Sequence, residues 1–441
     1  MQMQAKTQDK AIVVGVGLKT DSFVELKDSL AELEELVYAA GGDVVGTVAQ
    51  TLHQYNPATL LGSGKVSEIR ELVENAGASL VVIDRHLSGV QGRNLEKEIG
   101  VKVLDRTQLI LDIFAQRAKT YEGKLQVELA QMLDQLPRMV GAWQGSLSRQ
   151  AGGIGTRGPG ETALEIDRRR IHSRIKVLKK KLATVTKNRA QYRAARQRYE
   201  IPSFALIGYT NSGKSTLLNQ LCNARVLTKD QPFATLDPAT RKVFLPEVKN
   251  AVVTDTVGFI RRLPTELIEA FKATLEESVD ADVLIHVVDL SSDQMQSQMQ
   301  TVHNLINEFG WQSKPIIHVF NKVDKAPFER QFQVKEHPRV FLSALTGEGV
   351  EKLRNQMVEQ VRALHKETEL FFPKSEEYLI YELGRETSIN RTEPNSAGTV
   401  CFANLTPDQL HRWQNFLVKK ESINNKHHPQ PNLTEDTPDD E

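Results

Sequence analysis

The sequence predicts a multidomain α/β protein, and three observations carry that reading. Phe204-Ala205-Leu206-Ile207 has the apolar run of a buried strand; it enters a glycine-bounded loop, Gly208 to Ser215, and Thr216 to Leu221 continues as a helix. Residues from about 11 to 120 alternate strand and helix patterns, which predicts a small domain with a mostly parallel sheet. Two apolar stripes at steps of three and four lie between these regions and predict paired helices. With 441 residues, two to four domains are expected.

In the N-terminal domain, residues 1–121, Ala11 to Val16 reads as a strand and Phe23 to Ala40 as an amphipathic helix. Ser79 to Asp84 and Val101 to Asp105 supply further short strands. Gly62-Ser63-Gly64-Lys65 suggests a second phosphate loop, but Thr59 stands where glycine is needed and Val66 where Ser or Thr is needed. A turn into a helix beginning near Val66 is the favoured reading, with a nonstandard nucleotide site as the alternative.

Residues 122–200 read as an antiparallel helical hairpin. Leu125, Leu129, Met132 and Leu136 form one stripe; Ile171, Ile175, Leu178, Leu182 and Val185 form the other. From Arg168 to Arg198 there are thirteen Lys or Arg residues and no Asp or Glu. A face of mixed charge would be ordinary solvation, whereas one sign of charge repels itself unless a polyanion neutralises it. Nucleic acid is therefore the expected partner. The tip, Gly152 to Glu161, has the backbone freedom for close approach, with Arg149 and Arg157 beside it and Trp143 able to stack on a base.

The third region, residues 201–365, carries the chemistry. Gly208-Tyr209-Thr210-Asn211-Ser212-Gly213-Lys214-Ser215 fits the phosphate-loop pattern at each fixed position and is followed by Thr216. Its backbone would wrap the β-phosphate, Lys214 would reach the β- and γ-phosphates, and the Ser215 hydroxyl would bind Mg²⁺. Val252 to Asp255 runs into Asp255-Thr256-Val257-Gly258, where Asp255 would hold Mg²⁺ through water and the Gly258 amide would meet the γ-phosphate. Phe233-Ala234-Thr235-Leu236-Asp237 sits where a first switch loop belongs. The Thr235 hydroxyl would complete the Mg²⁺ shell, with Thr240 as a nearby competitor. Lys214, Thr235 and Gly258 are thus the expected catalytic groups, and Ser215 and Thr235 the metal ligands.

The base is read further on. Asn321-Lys322-Val323-Asp324 ends a strand, and the Asp324 carboxylate can accept both guanine N1–H and the 2-amino group, which adenine does not offer. Ser343-Ala344-Leu345 resembles the last guanine-contacting loop. Five elements in order predict a P-loop GTPase domain that binds GTP and GDP with Mg²⁺. After Gly258, where many small GTPases place a water-orienting glutamine, this chain has Phe259. A phenyl ring cannot align water, so activation by a partner is expected, against the alternative that Phe259 packs in the core and another side chain acts in cis.

Beyond the GTPase domain, residues 366–425 predict a compact α+β domain. Its strands are Glu377 to Glu382 and Gly398 to Ala403, and its helix runs from Pro407 to Val418 with Thr406 as cap. Residues 426–441 read as a disordered acidic tail. Basic and acidic residues balance at 56 each, and the two cysteines, Cys222 and Cys401, have no metal-ligand companions. No apolar stretch approaches membrane-spanning length, so a cytoplasmic location is expected, with room for peripheral membrane association.

Taken together, the chain resembles the HflX family of translational GTPases, within the Obg–HflX group. The GTPase elements alone give the superfamily; Phe259 and the Gly152 to Glu161 run carry the narrower likeness, over about residues 10 to 420. The resemblance implies a monomer that binds the 50S ribosomal subunit and its rRNA and hydrolyses GTP under ribosomal stimulation. It further implies that the GTP form splits stalled 70S ribosomes under stress, with the tip approaching the peptidyl transferase centre. ATP hydrolysis in the N-terminal domain is also implied. The competing readings are a tRNA-modification GTPase, whose terminal cysteine motif is absent here, an RNA-binding NTPase with ATP activity in the N-terminal domain, and a nucleotide-sensing scaffold.

Overall fold

The computed structural model describes residues 9–147, 159–198, 201–222, 232–233, 239–246, 248–262, 267, 270, 281–364, 366–387, 389–405 and 407–418. The chain divides into two compact units, Met1–Val361 and Arg362–Glu441. The glycine-rich tip at 152–158, Thr235 with its neighbours Ala234, Leu236 and Asp237, Thr406 and the acidic tail lie outside the described residues.

The N-terminal part of the first unit is built on a parallel sheet in the order β2-β1-β3-β4. These strands are β1 (Lys10–Leu18), β2 (Asp43–Leu52), β3 (Leu80–Ile83) and β4 (Lys102–Asp105). Alternate side chains of β1 enter different cores: Ala11 and Val13 face one, Ile12, Val14 and Val16 the other. This double burial is why β1 reads as an unbroken apolar run. Helices α1 (Phe23–Ala40) and α4 (Arg106–Arg117) contribute to the first core, α2 (Ser63–Ala76) and α3 (Gly89–Ile99) to the second. α2 begins at Ser63, three residues earlier than expected, because the Gly62 carbonyl already accepts from the Lys65 and Val66 amides. Lys65 pairs with Glu68 at 2.6 Å on the same helix. Gly62 to Lys65 is thus a helix start.

The hairpin consists of α5 (Tyr121–Leu147) and α6 (Pro159–Arg198). Leu125, Leu129, Ile175, Leu178 and Leu182 are buried together, each contributing about 1.5–3 kcal/mol by its removal from water. Arg174 on α6 meets Glu128 near the start of α5 at 2.6 Å, as antiparallel packing requires. Asp105 caps α4 through the Gln108 amide, and its carboxylate also receives Arg138 of α5 at 2.7 Å. Arg138 therefore fastens the hairpin to the sheet domain.

The GTPase part has a six-stranded sheet in the order β10-β9-β8-β5-β7-β6, parallel except for β6. The strands are β5 (Ser203–Gly208), β6 (Ala239–Leu245), β7 (Lys249–Asp255), β8 (Val283–Asp289), β9 (Ile316–Asn321) and β10 (Arg339–Phe341). Described helices are α7 (Lys214–Cys222), α8 (Met295–Glu308) and α9 (Val350–Leu364). A buried charge cluster joins this part to the N-terminal sheet domain. Arg106 bonds Glu32 at 2.6 Å and Asp84 at 3.1 Å, and Arg262 reaches the same Asp84 at 3.0 Å. The Tyr209 hydroxyl donates to Glu32 and accepts from the Arg261 amide.

In the second unit, β11 (Lys366–Pro373), β13 (Gly398–Leu405) and β12 (Ile389–Pro394) form an antiparallel sheet with β13 in the middle. The strand expected at Glu377 to Glu382 is instead the start of α10 (Leu379–Glu386). Its tyrosines and β-branched isoleucine suggest a strand, but Leu379, Ile380 and Leu383 turn one helical face to the core and leave Tyr378 and Tyr381 exposed. The last described α-helix, α11 (Pro407–Arg412), is shorter than expected; Gln414–Phe416 tightens into a 3₁₀ turn. No described helix is long and apolar enough to cross a membrane.

Replacing Arg106 by Ala leaves Asp84, which is wholly buried, without its deepest partner. Breaking a buried pair in this way costs about 3–5 kcal/mol. The denaturant midpoint of the first unit should fall accordingly, and an unchanged midpoint would show that the cluster is not a fastening.

Candidate active site

The phosphate loop hangs between β5 and α7, and its shape follows from a few close approaches. Gly213 has φ +92°, and a Cβ there would lie 2.2 Å from Nδ2 of Asn321. Only glycine fits. The Asn321 amide occupies that space: Nδ2 donates to the Ser212 carbonyl at 2.8 Å and Oδ1 accepts from the Ala344 amide at 2.9 Å. One buried side chain thus joins the phosphate loop, the end of β9 and the Ser343-Ala344-Leu345 loop.

Lys214 is buried, and its ammonium donates to the carbonyls of Gly208 at 3.0 Å and Tyr209 at 2.7 Å. Burial lowers its pKa to about 8, with the negative charge of Asp255 opposing that fall. The Ser215 hydroxyl donates to Oδ2 of Asp255 at 2.6 Å. Two hard oxygens from the loop and from the end of β7 therefore meet at one point. They fit Mg²⁺, which takes few protein oxygens and keeps water and phosphate as its other ligands. The Ser212 hydroxyl is buried without a hydrogen-bond partner and lies in the same loop. A phosphate oxygen would satisfy it. Thr210 and Asn211 complete the loop, Asn211 in the left-handed region at φ +61°.

Gly258 packs tightly against the loop: a Cβ there would lie 2.9 Å from both the Lys214 ammonium and the Thr210 Cα. Thr256 is buried and donates to the Leu206 carbonyl at 2.6 Å, while Val257 is also buried. Thr240 stands in β6, its hydroxyl 2.9 Å from that of Thr254, and so belongs to the sheet. Phe233 is 3% exposed and meets Phe114 of α4 edge-on at 4.7 Å.

Phe259 packs in the core at 1% exposure. Its amide donates to the Gly208 carbonyl at 3.0 Å and its carbonyl accepts from the Thr210 amide at 2.7 Å. The residue thus holds the phosphate loop by its backbone and the sheet by its ring. At the base-reading end, Asp324 is exposed, and Lys322 bonds Asp289 at 2.8 Å from a left-handed backbone position. Val323 is half-buried, Ser343 is buried and accepts from the Thr346 amide, and Leu345 is 71% exposed.

Sequence reasoning did not single out the role of Tyr209. Its hydroxyl leaves the phosphate loop to join Glu32 of α1, and burial, reinforced by that carboxylate, pushes its pKa well up. A tyrosine at a variable loop position gave no periodic signal. On α6, Arg168, Arg169, Arg170, Arg174, Lys176, Lys179, Lys180, Lys181 and Lys187 are all exposed. Glu165, Asp167 and Glu128 lie beside the first turns of that run and pair with Arg169, Arg170 and Arg174 respectively. Beyond Asp167 the sequence of α6 contains no Asp or Glu.

Comparison with known proteins agrees with this geometry. Residues 27–115 match the family model described as the GTP-binding GTPase N-terminal region, 117–196 the GTP-binding GTPase middle region, and 203–322 the 50S ribosome-binding GTPase. The chain is 42% identical over 424 residues to the GTPase HflX of Caldanaerobacter subterraneus subsp. tengcongensis, covering 95% of this chain and 96% of that one. It is 43% identical to the GTPase HflX of Escherichia coli, covering 80% and 83% respectively. A crystal structure of SsGBP with GDP matches at 25% identity and a TM-score of 0.47, covering 81% of this chain and 99% of that chain. With a phosphate loop, a guanine-reading motif and family matches over most of its length, the chain belongs to the HflX family of GTPases and is a GTP hydrolase.

Proposed function

We propose that this GTPase binds the large ribosomal subunit through the basic face of α6 and, in its GTP form, splits stalled 70S ribosomes under stress. The observation that carries the ribosomal reading is the row of exposed Lys and Arg on α6, attached to a family of GTPases one of whose models is described as 50S ribosome-binding. Such a face releases counterions from RNA phosphates on binding. In this reading 1–121 is the sheet domain, 122–200 the RNA-contacting hairpin, 201–365 the motor, 366–425 an accessory domain and 426–441 a tail. The glycine-rich tip acts at the peptidyl transferase centre. The protein works as a cytoplasmic monomer.

At the nucleotide, residues 208–216 would hold the phosphates, and Ser215 and Thr235, with Asp255 beside them, would hold Mg²⁺. Gly258 gives its amide to the γ-phosphate, Phe233 to Asp237 form the first switch, and Asp324 reads guanine with Ser343 to Leu345 closing over the base. Mg²⁺ would supply neutralisation of the phosphate charge. Because the phenyl ring of Phe259 cannot hydrogen-bond the attacking water, that water is positioned by ribosomal groups in this reading.

Lys214→Ala should abolish measurable GTP binding in fluorescence titration, because it removes the side-chain cation from the phosphates. In the unchanged protein the pH dependence has a definite sign. GTP favours protonated Lys214, whose pKa before binding is about 8. Affinity should be level below that pH and fall as pH rises through it, by at most about tenfold per unit. A flat profile from pH 7 to 9.5 would contradict the assignment.

Asp324→Asn should weaken GTP and favour xanthosine triphosphate, since the amide can donate to the xanthine 2-carbonyl. Competition binding with both nucleotides decides this, and retained GTP preference would place base reading elsewhere.

Ribosomal 50S subunits should raise GTP turnover clearly. Lys179, Lys180 and Lys181 replaced together by Glu should lose that stimulation, weaken sedimentation with 50S and flatten its salt dependence, while GTP affinity stays unchanged. Equal turnover with and without 50S would defeat the ribosomal reading. Unchanged binding by the triple variant would reduce α6 to a solvated helix.

A further inference from the structure

Away from the phosphate loop, three histidines converge inside the GTPase part. His286 on β8 is the register partner of His318 on β9, and His303 on α8 lies over both. Each offers a ring nitrogen, and these nitrogens all lie within 4.8 Å of one another. The ring centroids are 5.6 Å apart for His286 with His303 and with His318, and 6.0 Å for His303 with His318. The nucleotide chemistry described above uses none of the three.

Their environment is costly for packing alone. His286 and His318 are buried, and Nδ1 of each has no hydrogen-bond partner. A buried polar atom left in that condition costs about 1–3 kcal/mol, and leucine or valine would fill the same space without it. A ligand that accepts ring-nitrogen lone pairs removes the cost. Burial, together with the neighbouring imidazoles, also holds both rings neutral, His318 with a pKa of about 4 and His286 well below its ordinary value. Neutral imidazole is the ligating form, so no proton has to be displaced at neutral pH.

We propose that His286, His303 and His318 form a three-imidazole site for Zn²⁺, separate from the Mg²⁺ and phosphate site, that fastens α8 to β8 and β9. Three imidazoles without a thiolate suit zinc rather than Mg²⁺, which takes oxygen. Zinc holds nitrogen at about 2.0–2.1 Å, so the three ligand atoms must close to about 3.3 Å from one another. His303 is half-buried and can turn to close the set. Its exposed edge also gives the ion a way in and leaves the fourth position to water. His286 pairs in the sheet with Ile207, the residue before the phosphate loop. The ion would therefore brace the strand from which the loop springs.

The test uses the full-length protein without a histidine tag, saturated with Mg²⁺ and GDP so that the nucleotide site takes no other metal. Titration with Co²⁺ should give one tight equivalent with visible d–d absorption, displaced by one equivalent of Zn²⁺. At a hundredfold excess over its Kd, Zn²⁺ should raise the Tm of the GTPase part by roughly 5–10 °C. His303→Ala and His303→Phe should both lose the absorption and the Tm rise while still binding GDP normally. His427→Ala combined with His428→Ala, which removes the histidine pair of the tail, should keep both. No tight cobalt equivalent in the unchanged protein would overturn the proposal. So would an equivalent that survives both His303 substitutions, or one that disappears with His427 and His428.

Discussion

The nucleotide site depends on one amide. Asn321 sits at the end of β9 with both ends of its side chain engaged, one on the phosphate loop at Ser212 and the other on the loop at Ala344. Neither loop is regular structure, and each would otherwise have several soft backbone torsions. The clip is possible because Gly213 has no Cβ in the space that Nδ2 fills. The two residues are therefore a matched pair: glycine opens the gap and asparagine closes it. Once the clip is made, Lys214 and Ser215 start α7 where the ammonium and the hydroxyl stand on the same side as Asp255.

Much of this was legible in the sequence because the phosphate loop and the guanine-reading motif are defined by residue identity at fixed spacing. Backbone geometry leaves few alternatives to Gly213, and the strand before the loop is apolar on both faces. Parallel strands in this fold are buried doubly, so β1, β5 and β9 stand out. β2 does not, since its exposed and buried residues mix along an edge. The error at Glu377 to Glu382 came from the same limit: a short run containing tyrosine, leucine and isoleucine satisfies a strand or a helix, and only the neighbouring sheet decides. Tyr209 illustrates a different limit. Its partner Glu32 lies 177 residues away, and pattern within a window cannot see such a contact.

Charge is divided along the chain although the totals cancel. Glu32, Asp84 and Asp105 lie in the interior of the N-terminal domain or at its edge, each matched to an arginine. Lys176, Lys179, Lys180, Lys181 and Lys187 of α6 are exposed. Interior charges here make specific geometry, because a misplaced partner would leave an ion in a medium that solvates it poorly. Exterior charges of one sign make long-range attraction instead. A neutral total thus conceals two different uses of ionisable groups.

The Arg106 cluster also bears on how the two sheet domains of the first unit can be exchanged. Tyr209 and Arg262 of the GTPase part contact Glu32 and Asp84 of the N-terminal domain, and Phe233 rests edge-on against Phe114. A chimaera that grafted either domain onto a foreign partner would bring half of a charge set and half of an aromatic pair. The hairpin separates the two in sequence, but the contact between them is not a modular seam, and the lineage of one half is tied to that of the other.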